Sequence, residues 1–236
     1  MEELKKNGVT VLKNVYSKHQ INVFKQFSIA TETNINTKIN SGKLLEHNYD
    51  YYSLYDKEYK KYKKCYYVDD NLVLELEDGK YDIEIKNVLH THPKIHSLIS
   101  QFFTKCYKSN WGILTSNSKS PNGSWHRDVL NICGESDKDG NYDDSIMVHN
   151  FEPFYFTVLI PLVELNKNNG TTEFIDGSHV LTYNESKNKK HIQFDTNIGD
   201  VIIFDGRIFH RGCANNSNKS RPILYTIYYR NWYNEA

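Results

Sequence analysis

Paired cysteines, a net charge and long apolar runs are all missing from this 236-residue chain. Its four cysteines (Cys65, Cys106, Cys133 and Cys213) are far apart and form no C-x-x-C pair. That spacing fits neither a disulfide scaffold nor a zinc knuckle, and reduced thiols are expected. Lys and Arg number 29, as do Asp and Glu, so bulk electrostatics gives no hold on a nucleic acid. No apolar run approaches the ~18 residues of a spanning helix. The opening MEELKKNGVTVLKNVYS has neither an apolar h-region nor a small-residue cleavage pattern. A cytoplasmic chain with no membrane and no nucleic-acid partner is the expectation. Apolar residues make up 39% of the chain, enough to build a core in one domain spanning residues 1–236.

Residues 8–15, GVTVLKNV, alternate and are β-branched, which predicts a strand. Ser17 is placed to cap a helix running to about Ile29, with Ile21, Val23, Phe24, Phe27 and Ile29 on or near its apolar face. Residues 31–85 are polar and weakly periodic; the basic KEYKKYKKCYY is offset by the acidic VDDNLVLELEDGKYD. A solvated face or substrate-side loop follows from that cancellation. In THPKIHSLISQFF, Thr91 is placed as a cap and Pro93 in the first turn. Ile95, Leu98, Ile99, Phe102 and Phe103 then form one apolar stripe. His90, His92 and His96 are expected at the surface near that helix start. From residue 111 the texture changes to short strands separated by turns such as NKNNG, DGS and NIGD. The pattern predicts an α+β fold: a double-stranded β-helix (jelly roll, cupin-like) over 111–236, with a strand and helices from 1–110 packed on it.

The chemistry concentrates in SWHRD and in a segment near the C-terminus. His126 and Asp128 stand two apart, so on a strand they share a face and can meet one metal. His210 follows the apolar strand GDVIIFDGRIF, and Arg221 stands eleven residues beyond it. Two His and one carboxylate form the ligand set of non-haem Fe(II) oxygenases and leave three coordination positions open. A keto acid with a second carboxylate would fill two of them, and O₂ the third. Its far carboxylate needs a fixed cation, and Arg offers a planar bidentate fork. Taken alone, His126 and Asp128 also fit an ordinary hydrogen-bonded pair.

Over most of its length the sequence resembles the phytanoyl-CoA dioxygenase (PhyH-like) family of Fe(II)/2-oxoglutarate oxygenases. NGVTVLKNVYSKHQINVFKQF is similar to the family's opening strand and helix, and HPKIHSLISQFF to the helix before its barrel. SWHRDV resembles the H-x-D strand, with Arg127 where Gln is common. LIPLVELNKNNGTTEFIDGSH resembles its turn segment, with Asp176 where Pro is frequent. GDVIIFDGRIFHRGCANNSNKSRPILYTIYY is similar to the distal-His and Arg segment, including the eleven-residue interval.

The resemblance implies that His126, Asp128 and His210 bind Fe(II) and that Arg221 binds the distal carboxylate of 2-oxoglutarate. It also implies a further cosubstrate contact from the strand before H-x-D. If that strand is 113–119, Thr115, Asn117 and Lys119 share a face, and Thr115 is the expected contact. Some members place a hydroxyl where Gly212 stands, so the carboxylate's second partner is open. Asp128 favours hydroxylation over halogenation, because related halogenases lack this carboxylate. The implied reaction is hydroxylation of a small-molecule substrate with O₂, releasing succinate and CO₂. The acidic stretch from Val129 to Phe154 is expected to shape specificity. A structural role is expected for His179 and a spectator role for Cys213. Two other readings stand beside this one: a catalytically silent metal-binding jelly roll acting as a sensor or interaction module, and a cupin-type isomerase or dioxygenase that uses no keto acid.

Overall fold

The computed structural model describes residues 2–41, 63–67, 92–103, 107–129 and 151–233. Two antiparallel sheets face each other, as the alternating texture predicts. The larger has six strands: β1 (Val9–Leu12), β2 (Lys63–Tyr67), β3 (Tyr107–Ser116), β4 (Tyr155–Pro161), β7 (Val201–Asp205) and β9 (Arg221–Arg230), in the order β1-β7-β4-β9-β3-β2. The smaller is β6 (His191–Gln193), β5 (Thr172–Ile175) and β8 (His210–Gly212), in that order. This is the expected jelly roll. Its larger sheet, however, reaches outside 111–236: β3 starts at Tyr107, while β1 and β2 form the two edges. The stretch expected as a solvated face or loop thus contributes an edge strand, pairing Lys63–Tyr67 with Gly112–Ser116. Strand β8 was not expected, because HRG carries no apolar alternation; pairing with β5 makes it a strand.

Strand alternation divides the apolar residues between two layers. Trp111 and Ile113 of β3, Val158 and Ile160 of β4 and Leu224 and Tyr228 of β9 face outward, against the helices. Helix α1 is Glu2–Asn7, α2 is Lys18–Asn40 and α3 is Pro93–Ile99. Helix α2 begins where Ser17 predicts, with a reciprocal cap: the Gln20 amide donates to Ser17 Oγ at 3.2 Å and the Ser17 amide to Gln20 Oε1 at 2.9 Å. It buries Ile21, Phe24 and Phe27, but Ile29 is 58% exposed. The helix runs eleven residues past the expected end, through the polar TETNINTKIN. There Thr33 and Thr37 donate to the carbonyls four residues back, each at 2.8 Å. Helix α3 has Pro93 in its first turn and buries Ile95, Leu98 and Ile99; Thr91 lies outside the described residues. His92 is half-buried, with its ring edge-on against Tyr16 at 4.8 Å.

The second layer lies between the sheets. Val9, Leu159, Phe174, Ile202, Phe204 and Ile223 meet there. The opposite face of the smaller sheet is polar: Glu173 accepts from Arg211 Nε at 2.7 Å and from Gln193 Nε2 at 3.1 Å.

The start of β7 is tied to the N-terminal segment through Asp200. Its carboxylate accepts from the Asn14 amide at 3.0 Å, the Asn197 amide at 2.9 Å and Lys13 Nζ at 2.9 Å. Burial alone would raise the pKa of Asp200, but these donors outweigh it and hold the group below the usual aspartate range. A carboxyl with a lower pKa folded than unfolded stabilises the fold above the ordinary aspartate pKa. That contribution is lost as pH falls through the depressed value. In urea unfolding across pH 2–6, Asp200→Asn is expected to lower stability near neutrality and to flatten the acid limb. An acid limb as steep as the wild type's would remove Asp200 from this role.

Candidate metal centre

His126 and His210 belong to different segments, and a backbone bridge joins them. The His126 amide donates to the His210 carbonyl and the His210 amide to the His126 carbonyl, each at 3.0 Å. Residues paired this way project from the same face. His210 is also in register with Phe174 of β5, and Phe174 with Ile192 of β6. Both imidazoles therefore face the space between the sheets, with ring centroids 4.4 Å apart. His210 packs on Phe204 at 4.7 Å and on Phe174 at 5.9 Å.

Each imidazole is oriented by a main-chain carbonyl. His126 Nδ1 lies 2.9 Å from the Ser124 carbonyl, and His210 Nδ1 lies 3.0 Å from that of Ile208. A carbonyl can only accept, so each Nδ1 carries a proton in these bonds and each Nε2 is the nitrogen turned toward Asp128. The Nε2 atoms converge on Asp128 Oδ1, at 3.9 Å from His126 and 3.3 Å from His210. The other carboxylate oxygen, Oδ2, accepts from Thr157 Oγ1 at 2.5 Å. Burial pushes the Asp128 carboxyl up, but His210, His126 and Thr157 together hold it below the usual range. One ligand atom from each of the three side chains lies within 4.8 Å of the others. Two imidazole nitrogens and one carboxylate oxygen, converging on one point beside an aromatic wall, are a donor set suited to a divalent transition metal.

Arg221 opens β9 on the same inner face as Ile223 and Tyr225. The residue is 2% exposed. Its NH1 donates to the carbonyls of Asn169 and Cys213 at 3.0 and 3.2 Å, and its NH2 donates to Ser116 Oγ at 2.9 Å. Gly170 makes this packing possible. It has φ +79°, and a Cβ there would stand 2.3 Å from Arg221 NH1.

Thr115 does not join this group, which corrects the expectation from the sequence. It is on the outward face of β3 with Trp111 and Ile113, where its hydroxyl donates to Glu32 of α2. The inward residue is its neighbour Ser116, paired directly with Arg221. The strand ends at Ser116, and Lys119 sits in the following turn with φ +61°. Thr115 instead lines an outer cavity of about 500 Å³ beside Lys25, Glu32, Asn168 and Lys219. That cavity contains none of the three converging side chains. Sequence reasoning also missed Thr157, although a threonine inside the apolar run FYFTVLIPL was a usable signal. His179 is buried, and its Nε2 meets the Lys5 carbonyl at 3.1 Å, holding α1 to the barrel. Cys213 is half-buried; desolvation, then the charge of Glu173, raises its thiol pKa. Most of the acidic 129–154 stretch lies outside the described residues.

The family model for phytanoyl-CoA dioxygenase (PhyH) matches residues 82–223. The chain belongs to the PhyH family. Two curated proteins are similar to parts of it: the uncharacterized YJR154W of Saccharomyces cerevisiae, 32% identical over 70 residues, and the dioxygenase peniF of Penicillium patulum, 32% identical over 72 residues. Those matches cover 28% and 30% of this chain but only 20% and 23% of the relatives. Among solved structures, AviO1 of Streptomyces viridochromogenes is 16% identical with a TM-score of 0.65, covering 100% of this chain and 95% of that one. The epimerase SnoN, solved with Fe3+, alpha ketoglutarate and nogalamycin RO, is 13% identical with a TM-score of 0.63. That match covers 97% of this chain and 81% of SnoN. At such identities the likeness concerns the fold.

Within this PhyH fold, Thr157 is the residue that holds the carboxylate of Asp128. Thr157→Val keeps the volume and removes the donor, so metal affinity is expected to fall about tenfold with the fold intact. Titration with Co(II) in the visible range measures this, and an unchanged affinity would show that Asp128 needs no such support.

Proposed function

We propose that this protein is an Fe(II)- and 2-oxoglutarate-dependent dioxygenase that hydroxylates a small-molecule substrate, and that residues 1–236 form one catalytic domain. Its proposed setting is the cytoplasm, where dispersed thiols stay reduced. The observation that carries the reading is the convergence of His126 Nε2, His210 Nε2 and Asp128 Oδ1, with both Nδ1 atoms committed to carbonyls. PhyH membership and the keto acid and iron bound by SnoN support the same choice of cofactors.

Each residue then has a defined task. His126 and His210 would each supply an Nε2 nitrogen to Fe(II) and Asp128 one carboxylate oxygen, while Thr157 restrains the other. With iron and 2-oxoglutarate bound, the centre supplies the oxidising chemistry: O₂ converts the keto acid to succinate and CO₂, and one oxygen atom enters a substrate C–H bond. Arg221 receives the distal carboxylate of the keto acid in its planar fork. Ser116 is the second partner of that carboxylate, because its hydroxyl accepts from Arg221 and keeps its own proton to donate. Phe174 and Phe204 keep water from the inner side of His210. The presence of the Asp128 carboxylate beside the two imidazoles supports hydroxylation over halogenation. A small organic substrate suits a chain with balanced charge.

Anaerobic addition of Fe(II) and then 2-oxoglutarate is expected to produce a weak visible charge-transfer band, absent in His210→Ala. Iron bound without such a band would overturn the keto-acid mechanism. Arg221→Ala removes a buried, charge-assisted contact and should raise the 2-oxoglutarate requirement for succinate formation about ten- to hundredfold. Iron binding should change little, and an unaltered requirement would remove Arg221 from this role.

A further inference from the structure

We propose that Arg207 is a positioning residue for the metal centre: its buried pairing with Asp205 fixes the turn 205–208, whose carbonyls orient Asp128 and His210. The inference rests on the reading of His126, Asp128 and His210 as metal ligands. The links from the turn to Asp128 and His210 run through its main-chain carbonyls.

The turn is determined from within. Arg207 Nε donates to Asp205 Oδ1 at 2.8 Å and Arg207 NH2 to Asp205 Oδ2 at 2.6 Å, a two-toothed pairing. The Arg207 amide donates to the same Oδ1 at 3.0 Å, and the Ile208 amide to the Asp205 carbonyl at 2.9 Å. A third tooth, Arg207 NH1, donates to the Phe151 carbonyl at 2.6 Å. Asp205 and Arg207 side chains are 2% and 3% exposed. A buried ion pair two residues apart gives little net stability, because desolvation consumes most of the attraction. What it gives is direction: the guanidinium is planar, so three bonds to two segments permit one arrangement of the turn.

Two carbonyls of that arrangement point at the candidate ligands. Gly206 O accepts from the Asp128 amide at 2.9 Å and from the Val129 amide at 3.4 Å. Ile208 O accepts from His210 Nδ1 at 3.0 Å. Gly206 is held closely as well: its amide donates to the Tyr155 carbonyl at 2.9 Å, and a Cβ there would stand 2.4 Å from the Tyr155 ring. A rotation of the turn would thus move the Asp128 backbone and release the His210 tautomer together. His126 follows through its paired bonds with His210.

The test compares the wild type with Arg207→Lys, which keeps the charge opposite Asp205 and loses the planar fork, and with Arg207→Met. Amide hydrogen exchange is read on the metal-free protein, and Co(II) is the probe of the site. In Arg207→Lys, exchange at Asp128 and Val129 is expected to speed up more than tenfold, while the β3–β9 ladder keeps its protection. The Co(II) dissociation constant should rise about 10–100-fold. Unchanged exchange at Asp128 and Val129 would overturn the proposal, as would an equal loss of protection along β3 and β9. If Arg207→Met fails to fold, Arg207→Lys alone decides. Absence of Co(II) binding by the wild type would overturn the metal reading, and with it the claim that Arg207 serves a metal site. Local exchange at Asp128 would still report whether Arg207 fixes the turn.

Discussion

The paired main-chain bonds between His126 and His210 are the constraint on which the candidate site rests. The two histidines come from segments more than eighty residues apart: His126 from an isolated bridge and His210 from a three-residue strand paired with β5. Bonding their backbones to each other fixes the separation and facing of the two rings before any metal arrives. Asp128 then reaches the same point because it stands two residues from His126. Everything else near the site serves that geometry: Ser124 and Ile208 set the tautomers, Thr157 occupies the far carboxylate oxygen, and Phe174 and Phe204 wall the inner side. Such an arrangement lets the fold bear the entropic cost of organising the candidate metal site.

The two apolar layers have separate tasks. The outer layer, where α2 and α3 cover the larger sheet, gives rigidity without touching the chemistry. The inner layer is shared between core and site, so Phe174 and Phe204 pack against Ile202 and also against the His210 ring. Rigid aromatic packing beside a ligand keeps its rotamer fixed and its surroundings poor in water. Arg221 and Ser116 lie at the strand ends of the same inner face, where turns can approach closely. Gly170 permits that approach, since only a residue without a Cβ fits against the guanidinium there.

Much of this was legible in the sequence. The Ser17 cap, the apolar stripe of α3 and most strands of both sheets follow from periodicity and turn chemistry. The order of H-x-D, distal His and Arg singled out the residues that the fold gathers between its sheets. The failures are physical in kind. Thr115 misleads because 113–119 reads as one strand, whereas β3 ends at Ser116, and nothing in that stretch says which face meets the helices. The outward packing of Trp111 and Ile113 decides it, and that is a tertiary fact. Strands β2 and β8 lack alternation and exist through their partners. Helix α2 outran its apolar periodicity because hydroxyls and backbone bonding carry a polar tail that a hydrophobic pattern cannot detect. The tie between Asp205, Arg207 and the backbones of Asp128 and His210 involves carbonyls, which leave no mark in a sequence.

The alternation along the short strands has one more consequence. In β5 and β8, Phe174 and His210 face inward while their neighbours Glu173 and Arg211 pair on the solvent side. Exchanging either polar residue alters a surface contact. Deleting a single residue between Arg207 and His210 would instead turn the strand over, sending the imidazole to water and a guanidinium toward the carboxylate. In this part of the chain the candidate site therefore depends on spacing as well as on composition, and the count of residues is itself one of its parts.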